Sequence, residues 1–239
     1  IECQIVGWGR GKRSWIIDYK VLIGDTMLPD VWDQLRDIIN HTWVREDGLE
    51  MPLRLMAIDS GFRSTVVYEF CKGFSEHRVI PIKGMNKLEA PIFSAPKAVN
   101  KTAAGKNSGN VRRYNIGSSV LKEDTYSKLK LIKHGEDSPE GYIEFPILPE
   151  DYFKGLAAEE LQTAFVKGYP KKTWVKKFMR NEPLDTYNYA RAAASIVGMD
   201  RLKSDFYKQI SDGYIKKTMQ PEQTKKQPQK FDDKYDIWK

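Results

Sequence analysis

Apolar and polar residues alternate along Glu2–Trp8, the period-two mark of a strand with one buried face. Gly7-Trp8-Gly9-Arg10-Gly11-Lys12 supplies a tight turn, and Ser14–Ile23 follows as a second run rich in β-branched and aromatic residues. Residues 1–23 are therefore expected to form an antiparallel hairpin. From Pro29 the period changes. Val31, Leu35, Ile38 and Ile39 recur at helical spacing to about His41, with proline tolerated in the first turn. Leu53–Ile58 is an apolar run of strand length that ends in Asp59-Ser60-Gly61. Arg63–Phe74 then carries Val66, Val67, Phe70 and Cys71 on a helical stripe, and Val79–Ile82 is again a short strand. A strand, a helix and a strand in that order imply a parallel pair joined by a right-handed crossover.

Residues 83–113 contain Gly84, Pro91, Pro96, Gly105 and Gly109 and are expected to be a long irregular loop. Ile116-Gly117-Ser118-Ser119 carries capping chemistry ahead of a helix over Val120–Ile132. Tyr142–Phe145 predicts a short strand, residues 156–166 a helix, and Val166–Phe178 a basic-faced hairpin around Gly-Tyr-Pro-Lys. Pro183 opens a helix to about Val197 with the stripe Leu184, Tyr187, Ala190 and Ile196. From about Asp212 the Lys/Gln/Pro-rich sequence is expected to be disordered. The fold class is α/β, a mixed sheet with helices on both faces. Residues 1–200 are expected to form the domain and 201–239 a C-terminal extension.

Composition narrows the function. The chain has 239 residues, a formal net charge of +7, two cysteines and three histidines. No stretch approaches a membrane span, and two cysteines exclude both a disulfide framework and a thiolate zinc cluster. The charge is clustered. Residues 83–113 hold seven basic residues and one acid, and residues 167–180 hold six basic residues and no acid. These two segments exceed the whole net charge, so the remainder is acidic. That is the electrostatic footprint of a polyanion partner. Tyr169 and Trp174 are open to two roles, stacking on bases or packing within the hairpin.

Three carboxylates stand out. Asp59 follows the C-terminal end of an apolar strand, the edge where open α/β sheets hold ligands, and suits a hard cation. A helix N-cap is the plainer reading. Glu182 and Asp185 lie three apart at a helix start, where acids also favour the helix dipole. Carboxylates from separate elements beside basic segments are what metal-assisted phosphodiester cleavage requires.

Several motifs together carry a family resemblance. They are Val6-Gly-Trp-Gly-Arg-Gly11 with Ser14-Trp-Ile-Ile-Asp-Tyr19, Ala57-Ile-Asp-Ser-Gly61, and Arg78-Val-Ile-Pro-Ile-Lys-Gly84. The Gly117, Lys122, Tyr126, Leu129 stretch and Arg180-Asn-Glu-Pro-Leu-Asp185 complete the set. In order over about residues 1–199, the chain resembles the nuclease domain of lambda-type (GpA family) phage terminase large subunits. The resemblance implies a ribonuclease H-like fold and a two-metal endonuclease, using Mg²⁺ or Mn²⁺, that cuts concatemeric double-stranded viral DNA. It implies metal ligation by Asp59 and Asp185, with Glu182 as a contributing neighbour. Lys83, Arg112, Arg113, Lys171, Lys172, Lys176 and Lys177 would contact phosphates. No phosphate-loop pattern occurs, so ATP belongs to a motor domain outside these residues. Ser119 stands where an acid is often found and receives no metal role.

In the family a first acid lies on a strand just ahead of the one that begins here. The resemblance thus implies that this sequence lacks that Asp and the central strand. The sheet should show a gap beside the Asp59 strand, or a substitute filling it. Implied partners are DNA, the terminase small subunit and, through the aromatic tail Phe231–Lys239, the portal protein. The implied location is the host cell cytoplasm, with no membrane role. Two other readings stay open: another ribonuclease H-like nuclease such as a resolvase or transposase, or a catalytically incomplete fragment that binds DNA or the portal.

Overall fold

The computed structural model describes residues 1–85, 87–99, 111–135, 138–202, 206 and 207. The chain divides into two units, Ile1–Leu202 and Lys203–Lys239. The aromatic tail and the segment beyond Asp212 lie outside the described residues.

Strands β1 (Glu2–Trp8) and β2 (Ser14–Val21) form the expected antiparallel hairpin, with a register shift at Ile5/Val6. Helix α1 (Pro29–Asn40) follows. Its stripe of Val31, Trp32, Leu35, Ile38 and Ile39 is buried. Each such side chain contributes roughly 1.5–3 kcal/mol, which fixes the rotation of the helix. A small hairpin not foreseen from the sequence, β3 (Thr42–Val44) with β4 (Glu50–Pro52), leads to β5 (Met56–Asp59). Its strands are only three residues each, too short for a period to register.

Helix α2 (Ser64–Lys72) then connects to β6 (Val79–Met85), which pairs parallel with β5. The expected loop over 83–113 is corrected in part. Lys83 belongs to β6, and short β7 (Lys97–Ala98) runs antiparallel to β8 (Arg112–Gly117), which is itself parallel to β6. Helix α3 occupies Ser118–Lys128, so the predicted cap residues begin the helix, and Ile116–Gly117 closes a strand. Strand β9 (Ile143–Glu144) adds to β2 in parallel.

Helix α4 (Glu150–Leu156) ends where a helix was expected to begin. Residues 157–166 are not helical, against the expected helix over 156–166: β10 (Glu159–Val166) pairs along its whole length with β11 (Tyr169–Lys176). Glu-Glu-Leu-Gln-Thr-Ala favours a helix locally, but the ladder to β11 overrides that weak preference. The turn is Lys167-Gly168, both at positive φ (51° and 80°), which suits a two-residue hairpin loop. The turn is therefore shifted two residues towards the N-terminus from the expected Gly-Tyr-Pro-Lys. Helix α5 (Glu182–Ile196) completes the main unit.

The strands form two principal sheets, ordered β1-β2-β9 and β5-β6-β8-β7, rather than one. One cluster joins Cys3 and Ile5 of β1 to α1, α2, Val79, Met56 and Ile58, so α1 and α2 cover one face of both sheets. The other face is covered by α5, which packs on β1 and on β5. Among the described residues β1 pairs only with β2, and β5 only with β6. Among the described residues β1 and β5 are therefore edge strands of their sheets.

The packing of α4 on α5 fixes the start of α5. A Cβ on Gly155 would lie 2.7 Å from ring atoms of Pro183, which is fully buried. Gly155→Ala should lower stability by roughly 1–3 kcal/mol through overpacking. The urea midpoint would fall with unchanged slope. An unmoved midpoint would show that the contact relaxes freely.

Candidate functional site

Asp59 ends β5, and the next residue ties the loop to β6. The Ser60 amide and hydroxyl both donate to the Ile82 carbonyl, at 2.8 and 2.7 Å. The Asp59 carboxylate accepts from the Gly61 amide at 3.1 Å. It does not cap α2, whose N-cap is Arg63, held in the left-handed region at φ 47°. The cap interpretation of Asp59 therefore gives way. Gly61 leaves room for the carboxylate, because a Cβ there would stand 3.1 Å from Asp59 Oδ2. The Asp59 side chain reaches solvent, yet enough protein surrounds it for desolvation to raise its carboxyl above the ordinary range. The Gly61 and Ser60 amides and the Lys83 charge oppose that rise.

Asp185 lies in the first turns of α5 and is largely buried. Burial pushes its carboxyl up to about 6 from 3.8. The negative charges of Glu159 and Asp59 add to the shift, while Lys122 and Lys176 work against it. Asp59 and Asp185 thus belong to one electrostatic cluster although 126 residues of sequence separate them. Tyr189, one turn along α5 from Asp185, senses the same group: burial raises its phenol, and Asp185, Asp59 and Glu159 raise it further.

A set of polar bonds holds Asp185 in place. The Asn181 side-chain amide donates to Asp185 Oδ2 at 2.9 Å and to Glu159 Oε1 at 2.8 Å. Lys122 of α3 donates to Glu159 Oε2 at 2.6 Å, a pair that is nearly buried. Lys176 of β11 donates to Asn181 Oδ1 at 2.8 Å. Trp174 donates to Ser119 Oγ at 2.9 Å and stacks on Tyr126 with centroids 5.7 Å apart. The base of the β10–β11 hairpin is thereby fastened to α3 and to the start of α5.

The remaining expected residues divide. Glu182 is exposed and pairs with Arg180, whose guanidinium also bonds Glu2 at 2.6 Å. Lys83 is on β6 beside the Asp59 level, since Asp59 pairs with Ile82. Arg112 and Arg113 sit two strands from Asp59, on β8. Lys176 serves Asn181, and Lys177 pairs with Glu160 at 3.2 Å. Lys171 and Lys172 are exposed and make no ion pair among the described residues. The two hairpin aromatics part company: Trp174 packs and Tyr169 is exposed.

Sequence reasoning missed Glu159, Asn181, Lys122 and Tyr189 as members of this cluster. Tyr189 had a signal, its i+4 spacing from Asp185 on one helix. Glu159 carries none, because its local sequence favours a helix and only the pairing of β10 with β11 sets its position.

Comparisons with known proteins agree with this picture. The family model described as terminase large subunit gpA, endonuclease domain, matches residues 1–205. The chain is 34% identical over 200 residues to the terminase large subunit of Escherichia phage lambda, covering 82% of this chain and 30% of that protein. It is 28% identical over 201 residues to the corresponding protein of Enterobacteria phage P21, again covering 82% and 30%. The chain therefore spans about a third of the length of these relatives. No solved structure matches it. By its family match and its relatives, this chain belongs to the terminase large subunit gpA endonuclease domain family.

Proposed function

We propose that residues 1–200 are the endonuclease domain of a DNA-packaging terminase and cut concatemeric double-stranded DNA by metal-dependent phosphodiester hydrolysis. On this reading the domain follows a ribonuclease H-like plan and acts in the infected host's cytoplasm. Partners would be the small subunit and, through the 201–239 extension, the portal. No described helix is long and apolar enough to cross a membrane. The packing of α5 on β5, which brings the Asp185 carboxylate within the field of Asp59, carries the proposal.

The donor chemistry fits a hard dication. Two oxygen ligands that resist ionisation together are stabilised by a positive charge between them, and carboxylates are the usual ligands of Mg²⁺ and Mn²⁺. Among the described residues no three His, Cys, Asp or Glu side chains gather as a ligand set. Asp59 and Asp185 would therefore share coordination with water and substrate phosphate, as Mg²⁺ sites commonly do. A bound metal supplies Lewis-acid activation of the phosphodiester and its attacking water. Asn181 orients the Asp185 carboxylate, and Lys122 neutralises Glu159 beside it. Glu182, at the mouth of the helix, contributes negative charge nearby.

Lys83, Arg112, Arg113, Lys172 and Lys176 are the proposed phosphate contacts, whereas Lys171 lies on the other face of the hairpin and Lys177 is taken up by Glu160. The pairing of β7 with β8 supports this for one edge, because Lys97 stands directly opposite Arg113. Like charges in register destabilise a ladder unless an anion lies near.

The test is conversion of supercoiled plasmid to nicked and linear forms by the terminase polypeptide carrying this domain. Cleavage should require Mg²⁺ or Mn²⁺ and stop with EDTA. Cleavage that persists in EDTA, or none with either metal, would overturn the proposal.

A further inference from the structure

The β10–β11 ribbon has two faces, and only one is continuous with the site. Residues directly opposite in an antiparallel pair share a face, and the face alternates along each strand. The register sets Glu159 against Lys176, Leu161 against Trp174, Thr163 against Lys172, and Phe165 against Pro170. Glu159, Trp174 and Lys176 are the very groups that bond to Asn181, Lys122 and Ser119. Thr163, Lys172 and Phe165 therefore prolong the site's own face outward. Gln162, Thr173, Ala164 and Lys171 lie on the opposite face.

Phe165 is 75% exposed. It is six residues beyond Glu159, which at strand spacing is about 20 Å. Among the described residues it has no aromatic partner. An exposed phenylalanine at the end of a lysine-bearing ribbon is not explained by packing in this unit. The flanking charge is all of one sign, because Lys167, Lys171 and Lys172 surround the tip and Glu160 is the nearest acid.

We propose that this ribbon enters a groove of duplex DNA with its site-side face. Phe165 presses against a base step as an apolar wedge, and Lys172 contacts a phosphate. Duplex DNA is the occupant favoured by three observations: the lysines suit a polyanion, a two-stranded ribbon matches the width of a groove, and the face runs into the carboxylate cluster. The inference rests on the nuclease reading, since it takes the same duplex as the ligand. It is tested by binding rather than by cleavage, so the two can fail separately.

The experiment measures binding of a fluorescein-labelled 30-base-pair duplex by anisotropy, with the whole chain in Ca²⁺, across a salt series. A second duplex carries 2-aminopurine at successive positions. Phe165→Ala should weaken binding by about tenfold, leave the salt slope unchanged and remove the 2-aminopurine enhancement, while Phe165→Trp restores both. Thr163→Lys, on the site face, should steepen the salt slope by about one, whereas Thr173→Lys, on the back face, should leave it unchanged. Thermal melts of these exposed-site variants should match the parent, which excludes misfolding. The proposal falls if Phe165→Ala binds like the parent, if Thr173→Lys and Thr163→Lys behave alike, or if the parent chain does not bind the duplex. Loss of metal-dependent cleavage with the face asymmetry intact would instead count against the nuclease reading alone.

Discussion

Asp185→Asn is expected to reduce metal-dependent plasmid cleavage by at least about 10³-fold, equivalent to roughly 4 kcal/mol of transition-state stabilisation. The same change should leave the domain equally or more stable. Both outcomes follow from one feature. Burial and the neighbouring charges of Glu159 and Asp59 raise the Asp185 carboxyl to about 6, so near pH 7 the folded state holds a carboxylate at some cost. Asparagine has the same shape and still accepts the Asn181 amide, but it carries no charge. The stabilising effect of protonating Asp185 is complete below its unfolded value of 3.8 and is lost as pH rises through about 6. The melting advantage of Asp185→Asn should therefore be seen at pH 7 and vanish near pH 4. A site that is stabilised by losing its charge, and inactivated by the same loss, is a site kept for function. Asp59→Ala should match it in activity, through loss of the second oxygen donor. Cleavage within tenfold of the parent in either variant would refute the metal-ligand assignment.

Arg191→Met should cost about 3 kcal/mol of stability, the penalty for leaving partly buried carboxylates without their cation. Arg191 is 3% exposed. It reaches Asp124 at 3.1 Å and Asp200 at 2.8 Å, and it also bonds Ser195. The loss is moderated because Lys128 also pairs with Asp124, and Lys12 with Asp200. For a unit of this size the melting temperature should fall by about 6–12 °C. The pH dependence separates this bridge from simple packing loss. Burial opposes ionisation of Asp200, but the hydrogen bonds from Arg191 and Ser195, with the Arg191 charge, outweigh it and hold the carboxyl down at about 2. That stabilisation is present above the unfolded value of 3.8 and disappears as pH falls towards 2. The gap between parent and Arg191→Met in urea midpoint should consequently narrow between pH 5 and pH 3. A constant gap would assign the loss to packing.

Much of the fold is legible from periodicity alone. The β1–β2 hairpin, α1, the parallel β5–α2–β6 unit and α5 each carry a clear period of two or 3.6, together with turn or proline signals at their ends. The failures share a cause. The Glu159–Val166 segment has helical composition and an unremarkable pattern, and its state is set by the partner strand. Strands β3, β4 and β7 span only two or three residues each, below the length at which alternation registers.

The site divides in the same way. Asp59 and Asp185 could be singled out in the sequence because each ends or begins an element, next to Gly or Pro. Their family resemblance, too, is written in short local motifs. That Asp185 feels the charge of Asp59 cannot be read from spacing, because α5 must first pack across both β1 and β5. Glu159, Asn181 and Lys122 join the cluster only through side-chain bonds among β10, α5 and α3. The charge pattern follows the same rule. The sequence shows a basic run over 167–180, but its lysines divide by strand register into those facing the site, those facing away, and those already paired. Local chemistry and periodicity are properties of adjacent residues, so the chain by itself determines them. Convergence, burial and the shared face of a ribbon depend on contacts distant in sequence, and only the tertiary structure decides those.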